Sequence, residues 1–105
     1  MQSKSAVVNI DDPAGKRLYS FLDGQELLRK SCSRTEGEFC ALEARSTING
    51  TNYVLVENYD KCNAYSVRLR SLGDFQVMNS LEALAAARLC GVDINIAVEA
   101  LSNMN

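Results

Sequence analysis

The stretch GDFQVMNSLEALAAARLCG, Gly73 to Gly91, reads as a helix that is apolar almost all round and closes on Gly91 as its C′ residue. A helix of that kind is built for burial, so the rest of the chain has to supply surfaces that cover it. Yet its opening turns carry Gln76, Asn79 and Glu82. At about 100° per residue, Gln76, Asn79, Ala83, Ala86 and Cys90 share one face, with Glu82 at its margin. That face is small apart from two carboxamides at its N-terminal end. An amide offers a donor and an acceptor together, and small neighbours let another surface come close. The face suits a planar base edge or another stretch of backbone; the plainer alternative is that both amides bond to a neighbouring loop, as most buried amides do.

The remaining elements follow from period and punctuation. SAVVNI is a short β-branched run ending at about Ile10, and DDP follows at once. Asp12 suits an N-cap and Pro13 the first helical position, where its missing N–H costs nothing. A helix is expected over Pro13 to Leu22, with Leu18, Phe21 and Leu22 as its apolar side, stopping at Asp23-Gly24. ELLRKSCS, EFCALEARSTI, NYVLVENY and AYSVRLRSL are four β-leaning runs, separated by SRTEG, NGT and DKCN. The last is the clearest, because Tyr65, Val67 and Leu69 alternate with Ser66, Arg68 and Arg70. A small antiparallel sheet or meander is expected. After Gly91, Asp93 caps a second C-terminal helix on which Ile94, Val98 and Leu101 recur at helical spacing. The order is β-α-β-β-β-β-α-α, an α+β class, and 105 residues suit one domain over the whole chain.

Composition narrows the chemistry. The net charge is -2 and acids and bases are interspersed, so the footprint of a nucleic-acid binder is missing. No apolar run reaches the roughly 18 residues a membrane span needs, and the chain is expected to be soluble and cytosolic. With no histidine, Ser-His-Asp and Cys-His nucleophile schemes drop out. Cys32, Cys40, Cys62 and Cys90 are widely spaced without a CxxC pair, so small apolar fillers are expected rather than a metal site. Cys32 and Cys40 flank SRTEGEF and would face each other across a hairpin. The adjacent carboxylates Asp11 and Asp12 stand where a strand feeds a helix, the edge at which open α/β sheets bind ligands. The plainer reading gives Asp12 the cap and Asp11 the solvent. No P-loop is present, since Ile10 stands where its first glycine would be and Arg17 follows Lys16.

Two segments carry a resemblance. AVVNIDDPAGKRL resembles the N-x-D-D-P-x-G segment of the Mur ligases, through Asn9, Asp11, Asp12, Pro13 and Gly15. GDFQVMNSLEALAAARLCGVDINIAVEAL resembles their G-x-F-N-x-x-N-x-x-A-A segment, through Gly73, Phe75, Asn79 and Ala83. The two lie in the right order about a β-rich stretch and cover essentially the whole chain. The DDPxG form looks most like the MurE branch, which adds the third amino acid, usually meso-diaminopimelate or lysine, to UDP-N-acetylmuramoyl-L-Ala-D-Glu. Gln76 stands where the family commonly has asparagine, and Glu82 where it has the first alanine of a pair.

The resemblance implies a fragment: the later half of the central ATPase domain of a three-domain ligase of peptidoglycan synthesis. In the family, ATP and Mg convert a carboxylate into an acyl phosphate, which the incoming amine attacks. The phosphate loop, metal ligands and carbamylated lysine of the family lie upstream, so no catalytic or metal-binding residue is expected here and isolated-chain activity is not expected. By the same resemblance Asn79 binds the adenine of ATP, with Gln76, Asp11 and Asp12 as further cofactor-binding positions. The partners implied are the nucleotide and the remaining domains of the ligase. The alternative is a stand-alone α+β module that uses the small helix face for a partner or for itself; a fragment would also expose the edge strand AVVNI and an apolar helix face, and could dimerise through them.

Overall fold

The structure, a computed structural model, describes residues 5–24, 28–70 and 74–103; the side chains of 28, 60–63, 74 and 75 are outside this description, as is Gly73. Five strands and three helices follow in the expected order: β1 (Ser5–Asn9), α1 (Pro13–Phe21), β2 (Leu28–Ser33), β3 (Phe39–Thr47), β4 (Gly50–Glu57), β5 (Asp60–Leu69), α2 (Asp74–Leu89) and α3 (Ile94–Ser102). All five strands form one mixed sheet in chain order. β1, β2 and β3 are mutually parallel, and β3, β4 and β5 are antiparallel neighbours. The sheet is therefore larger than the expected meander, because β1 joins it by a β-α-β crossover.

The β2–β3 step corrects the expected hairpin. Only Cys32↔Phe39 and Ser33↔Cys40 pair, in parallel, so the chain sidesteps by one strand and continues in the same direction. Cys32 belongs to the core under α2, whereas the next residue in β3 after Phe39, Cys40, points to the other face. The two thiols cannot meet. Gly37 makes the sidestep possible, since a Cβ there would lie 2.7 Å from the Ser33 nitrogen.

Two strand boundaries also differ from expectation. The β3–β4 turn is Ile48–Asn49, and the Gly50-Thr51 of NGT is already in β4. The β4–β5 turn is Asn58–Tyr59, with φ of 55° and 62°, so both central residues take the left-handed conformation of a tight two-residue hairpin. DKCN falls within β5, in the irregular stretch before regular pairing resumes at Val56↔Ala64. The side chain of Cys62 lies outside the described residues.

The core occupies one face of the sheet. Phe39, Ala41, Tyr53, Leu55 and Val67 pack against Val77, Leu81, Leu84 and Ala85 of α2 and Ile94 of α3. α2 lies across β1, β2, β3 and β4, and α3 covers β5. α1 sits on the opposite face over β1, where Gly15 meets the Val8 side chain. α2 ends in a Schellman motif, Val92 N–H to Ala87 O (3.0 Å) and Gly91 N–H to Arg88 O (3.0 Å), as Gly91 at φ 86° allows. The expected apolar side of α1 is not buried: Leu18 is 49% and Phe21 73% exposed.

Candidate functional site

The β1–α1 turn is assembled by its own side chains. Asn9 Oδ1 accepts from the Asp11 N–H at 2.9 Å, closing an Asx turn. Asp12, in extended backbone, accepts from the Ala14 N–H at 3.0 Å and is the N-cap of α1, with Pro13 next. Gly15 lets α1 lie directly on β1, because a Cβ there would overlap the Asn9 carbonyl oxygen. Asp11 is exposed, as expected, but both of its oxygens are bonded. Its Oδ1 accepts from the Ser33 hydroxyl at 2.6 Å and its Oδ2 from the Arg34 N–H at 2.7 Å, which straps this turn to the β2–β3 sidestep.

Sequence reasoning missed the sidestep's own network. Ser33 Oγ also accepts from the N–H groups of Thr35 (3.0 Å) and Glu36 (3.1 Å). Glu38 Oε1 accepts from Tyr19 Oη (2.8 Å) and the Ser31 N–H (3.2 Å), while Ser31 Oγ accepts from the Glu38 N–H (2.9 Å). The signal was the serine at every second position of SCS, which puts two hydroxyls on one side of a strand just before a turn.

On α2 the expected face exists and is open. Asn79, Ala83, Ala86 and Cys90 are exposed and Gln76 is half-buried, while Val77, Ser80, Leu81, Leu84 and Ala85 between them face the sheet. Neither carboxamide hydrogen-bonds to a described residue, so the loop-bonded alternative is not what the described residues form. The helix is anchored from below instead. Ser80 donates to the Val77 carbonyl (2.9 Å), which leaves Tyr53 as donor to Ser80 Oγ (2.8 Å). Arg88 Nε donates to the buried Glu57 Oε2 at 2.7 Å. Burial pushes the Tyr53 hydroxyl up to about 12 despite the Ser80 bond.

Glu82 does not simply tilt into water. It is half-buried, and after burial itself its charge is the largest influence on the Cys32 thiol, pushed up to about 12 with Glu38 and Asp11 adding to the effect. α2 packs on β1 and β2, and Asp11 bonds to Ser33 at the end of β2. No hydrogen bond among the described residues joins Gln76 or Asn79 to Asp11 or Asp12. An apolar groove of about 270 Å³ between α2 and α3, lined by Ala83, Ala87, Ile96 and Leu101 among others, begins one turn beyond Asn79 on that face.

Chemically, Asn79 presents an open donor and acceptor with a small residue, Ala83, one turn further on. That suits the edge of a planar heterocycle. Among the described residues no three His, Cys, Asp or Glu side chains converge as a metal site, and no helix is long and apolar enough to cross a membrane.

No protein-family model matches the sequence, and no curated protein does. Solved structures do match. The chain is similar to UDP-N-acetylmuramoyl-L-alanyl-D-glutamate 2,6-diaminopimelate ligase, at 24% identity and a TM-score of 0.83 over 97% of this chain and 21% of that one. MurF from Acinetobacter baumannii matches at 21% identity and a TM-score of 0.83, over 100% and 22% of the two chains. MurF ligase from Thermotoga maritima, solved with ADP, matches at 16% identity and 0.73, over 98% and 22%. At these identities the likeness is one of fold, and the chain spans about a fifth of the length of each of these ligases.

Proposed function

We propose that this chain is part of a Mur ligase, the later half of its central ATP-binding domain, and that it contributes the adenine side of the nucleotide site. The observation that carries the reading is the coincidence of fold and motif. Nearly the whole chain superposes on segments of such ligases, and N-x-D-D-P-x-G falls where each of its residues has a job in the β1–α1 turn. Asn79 is the adenine contact, with Gln76 beside it on the same face. Asp11 and Asp12 act by position, holding the turn at the strand end where the nucleotide lies. One of the similar ligases was solved with ADP, which supports a nucleotide at this fold.

At the finer level the parent is of the MurE type, adding the third amino acid to UDP-N-acetylmuramoyl-L-Ala-D-Glu in the cytoplasm. The DDPxG form supports this, and so does the diaminopimelate ligase among the similar structures. ATP supplies the activated phosphoryl group and Mg its counter-charge in such an enzyme. Asn79 and Gln76 suit the adenine, whereas among the described residues no three His, Cys, Asp or Glu side chains converge to hold the metal, whose ligands in the family lie upstream of this segment. The isolated chain is therefore expected to show no ligase activity and weak nucleotide affinity, because phosphate and metal contacts carry most of the binding.

The test is a ¹H–¹⁵N titration with adenosine and with ATP. Similar shifts at the Asn79 carboxamide and along the Ala83 face with both ligands, absent in Asn79→Ala, are expected. Adenosine leaving α2 unperturbed, or perturbing Asn79→Ala equally, would overturn the adenine assignment. The second reading, a self-associating module, is favoured by the exposed Leu18 and Phe21 of α1. It would show as shifts that depend on protein concentration alone.

A further inference from the structure

The β3–β5 hairpins carry a second set of donors, outside the two motif segments. In the ladder, Arg45 pairs with Asn52 and Asn52 with Arg68, so the three side chains form one row on the sheet face opposite α2 and α3. Strands lie about 4.8 Å apart, which sets the two arginine backbones about 10 Å from each other with the carboxamide between them. All three residues are exposed. A hollow of about 470 Å³ opens at the end of this row; Asn49, Asn52, Arg68, Leu69 and Ser102 are among its lining, and among the described residues no carboxylate lines it. A second hollow of about 280 Å³ shares Thr47, Asn52 and Arg68 with it and adds Arg45.

The charges of this row are not absorbed internally. Arg29, Lys30 and Arg88 have Asp23, Glu38 and Glu57 as ion-pair partners. Arg45 and Arg68 form no ion pair with a described residue; Glu43, at the φ 54° bulge, lines the second hollow with them but lies beyond ion-pair distance of both. Two exposed guanidiniums two strands apart repel each other only weakly in water, but an anion between them would meet both charges. Guanidinium groups have only donors, in a planar fork that matches an oxyanion, and the Asn52 amide and Thr47 hydroxyl can add to it.

We propose that Arg45, Asn52 and Arg68, with Thr47 and Arg70 at the margin, form a binding site for a multiply charged oxyanion group, phosphate or carboxylate, on a ligand. The site is separate from the carboxamide face of α2 and does not depend on how that face is read.

The experiment titrates the full chain with inorganic pyrophosphate and with citrate, against sodium chloride at matched ionic strength, following the arginine Nε–H and Asn52 carboxamide resonances. Saturable shifts at Arg45, Arg68 and Asn52, weakened about tenfold in Arg68→Gln by loss of one charge-assisted contact, are expected. Saturation by pyrophosphate alone assigns a phosphate ligand, by citrate alone a carboxylate; saturation by both assigns the shared charge and geometry. Asn52→Asp, which keeps size and places a negative charge in the row, should abolish binding while the rest of the spectrum stays native. Unsaturable drift equal to that in chloride, or shifts that survive both substitutions, would overturn the proposal.

Discussion

Gly15 shows how a single residue decides where a helix can lie. A methyl group at this position has no room, because the Asn9 carbonyl is backbone and is fixed by the strand. Helix propensity favours alanine over glycine by about 1 kcal/mol, but overpacking costs about 1–3 kcal/mol and here the neighbour cannot yield. Gly15→Ala is therefore expected to lower stability by about 2 kcal/mol, read as a shift in urea midpoint. Gly24, at φ 85° with open space around it, isolates the backbone effect, and Gly24→Ala should cost about 1 kcal/mol. A stable Gly15→Ala variant would mean that α1 does not rest on β1 as described. The cap at Asp12 and the proline after it were legible in the sequence because they are local. The Asp11 strap was not, since its partners Ser33 and Arg34 come from another loop and no short-range pattern announces them.

At the scale of elements, the α2–sheet interface joins a buried phenol and a buried thiol, and both make stability depend on pH. The folded chain holds Cys32 near 12 against an ordinary 9.0, and Tyr53 near 12 against 10.0, burial being the main cause for each. Both groups are neutral when protonated, so their raised folded values mean that the unfolded chain loses its protons first. The contribution is fully present below pH 9.0, then falls as pH rises toward about 12. At about 1.4 kcal/mol per unit, two units for the thiol and one for the phenol make the loss by pH 11 on the order of 4 kcal/mol. Urea midpoints should be level from pH 7 to 8 and drop above 9, and Cys32→Ala should delay the onset toward the tyrosine's range. A flat profile to pH 11 would contradict the burial of both groups. Element order and the antiparallel β3–β4–β5 pairing were readable because period and punctuation are local signals; the parallel pairing of β2 with β1 and β3 was not. Asn58–Tyr59 lacks the glycine that usually marks a left-handed turn, so the hairpin was placed too late. The β2–β3 sidestep has the residue composition of a hairpin loop, and only tertiary packing makes it parallel.

For the whole molecule, the sheet order leaves β1 as one edge and β5 as the other. The sequence marked AVVNI as an edge and left the small face of α2 open between a ligand, another backbone and a bonded loop; it also gave α1 an apolar side of Leu18 and Phe21, which the chain itself does not bury. That mismatch lies on α1, the helix that rests on the edge strand. Ile10 N–H donates to the Cys32 carbonyl, so by alternation the amides of Ser5, Val7 and Asn9 point away from β2, toward the open side. A row of outward amides beside an exposed phenylalanine favours strand addition, which in solution means a second copy when nothing else is present. The chain is thus expected to self-associate with rising concentration, as sedimentation velocity would read. Ser5 is exposed and its outward N–H is not part of the β1–β2 ladder. Ser5→Pro removes a donor from the edge without removing a ladder bond, and it should shift the distribution toward monomer. Phe21→Ser should do the same through apolar area, and the two effects should add if one surface carries both. Association that ignores Ser5→Pro but responds to Phe21→Ser would place the contact on α1 alone and leave the sheet edge out of it.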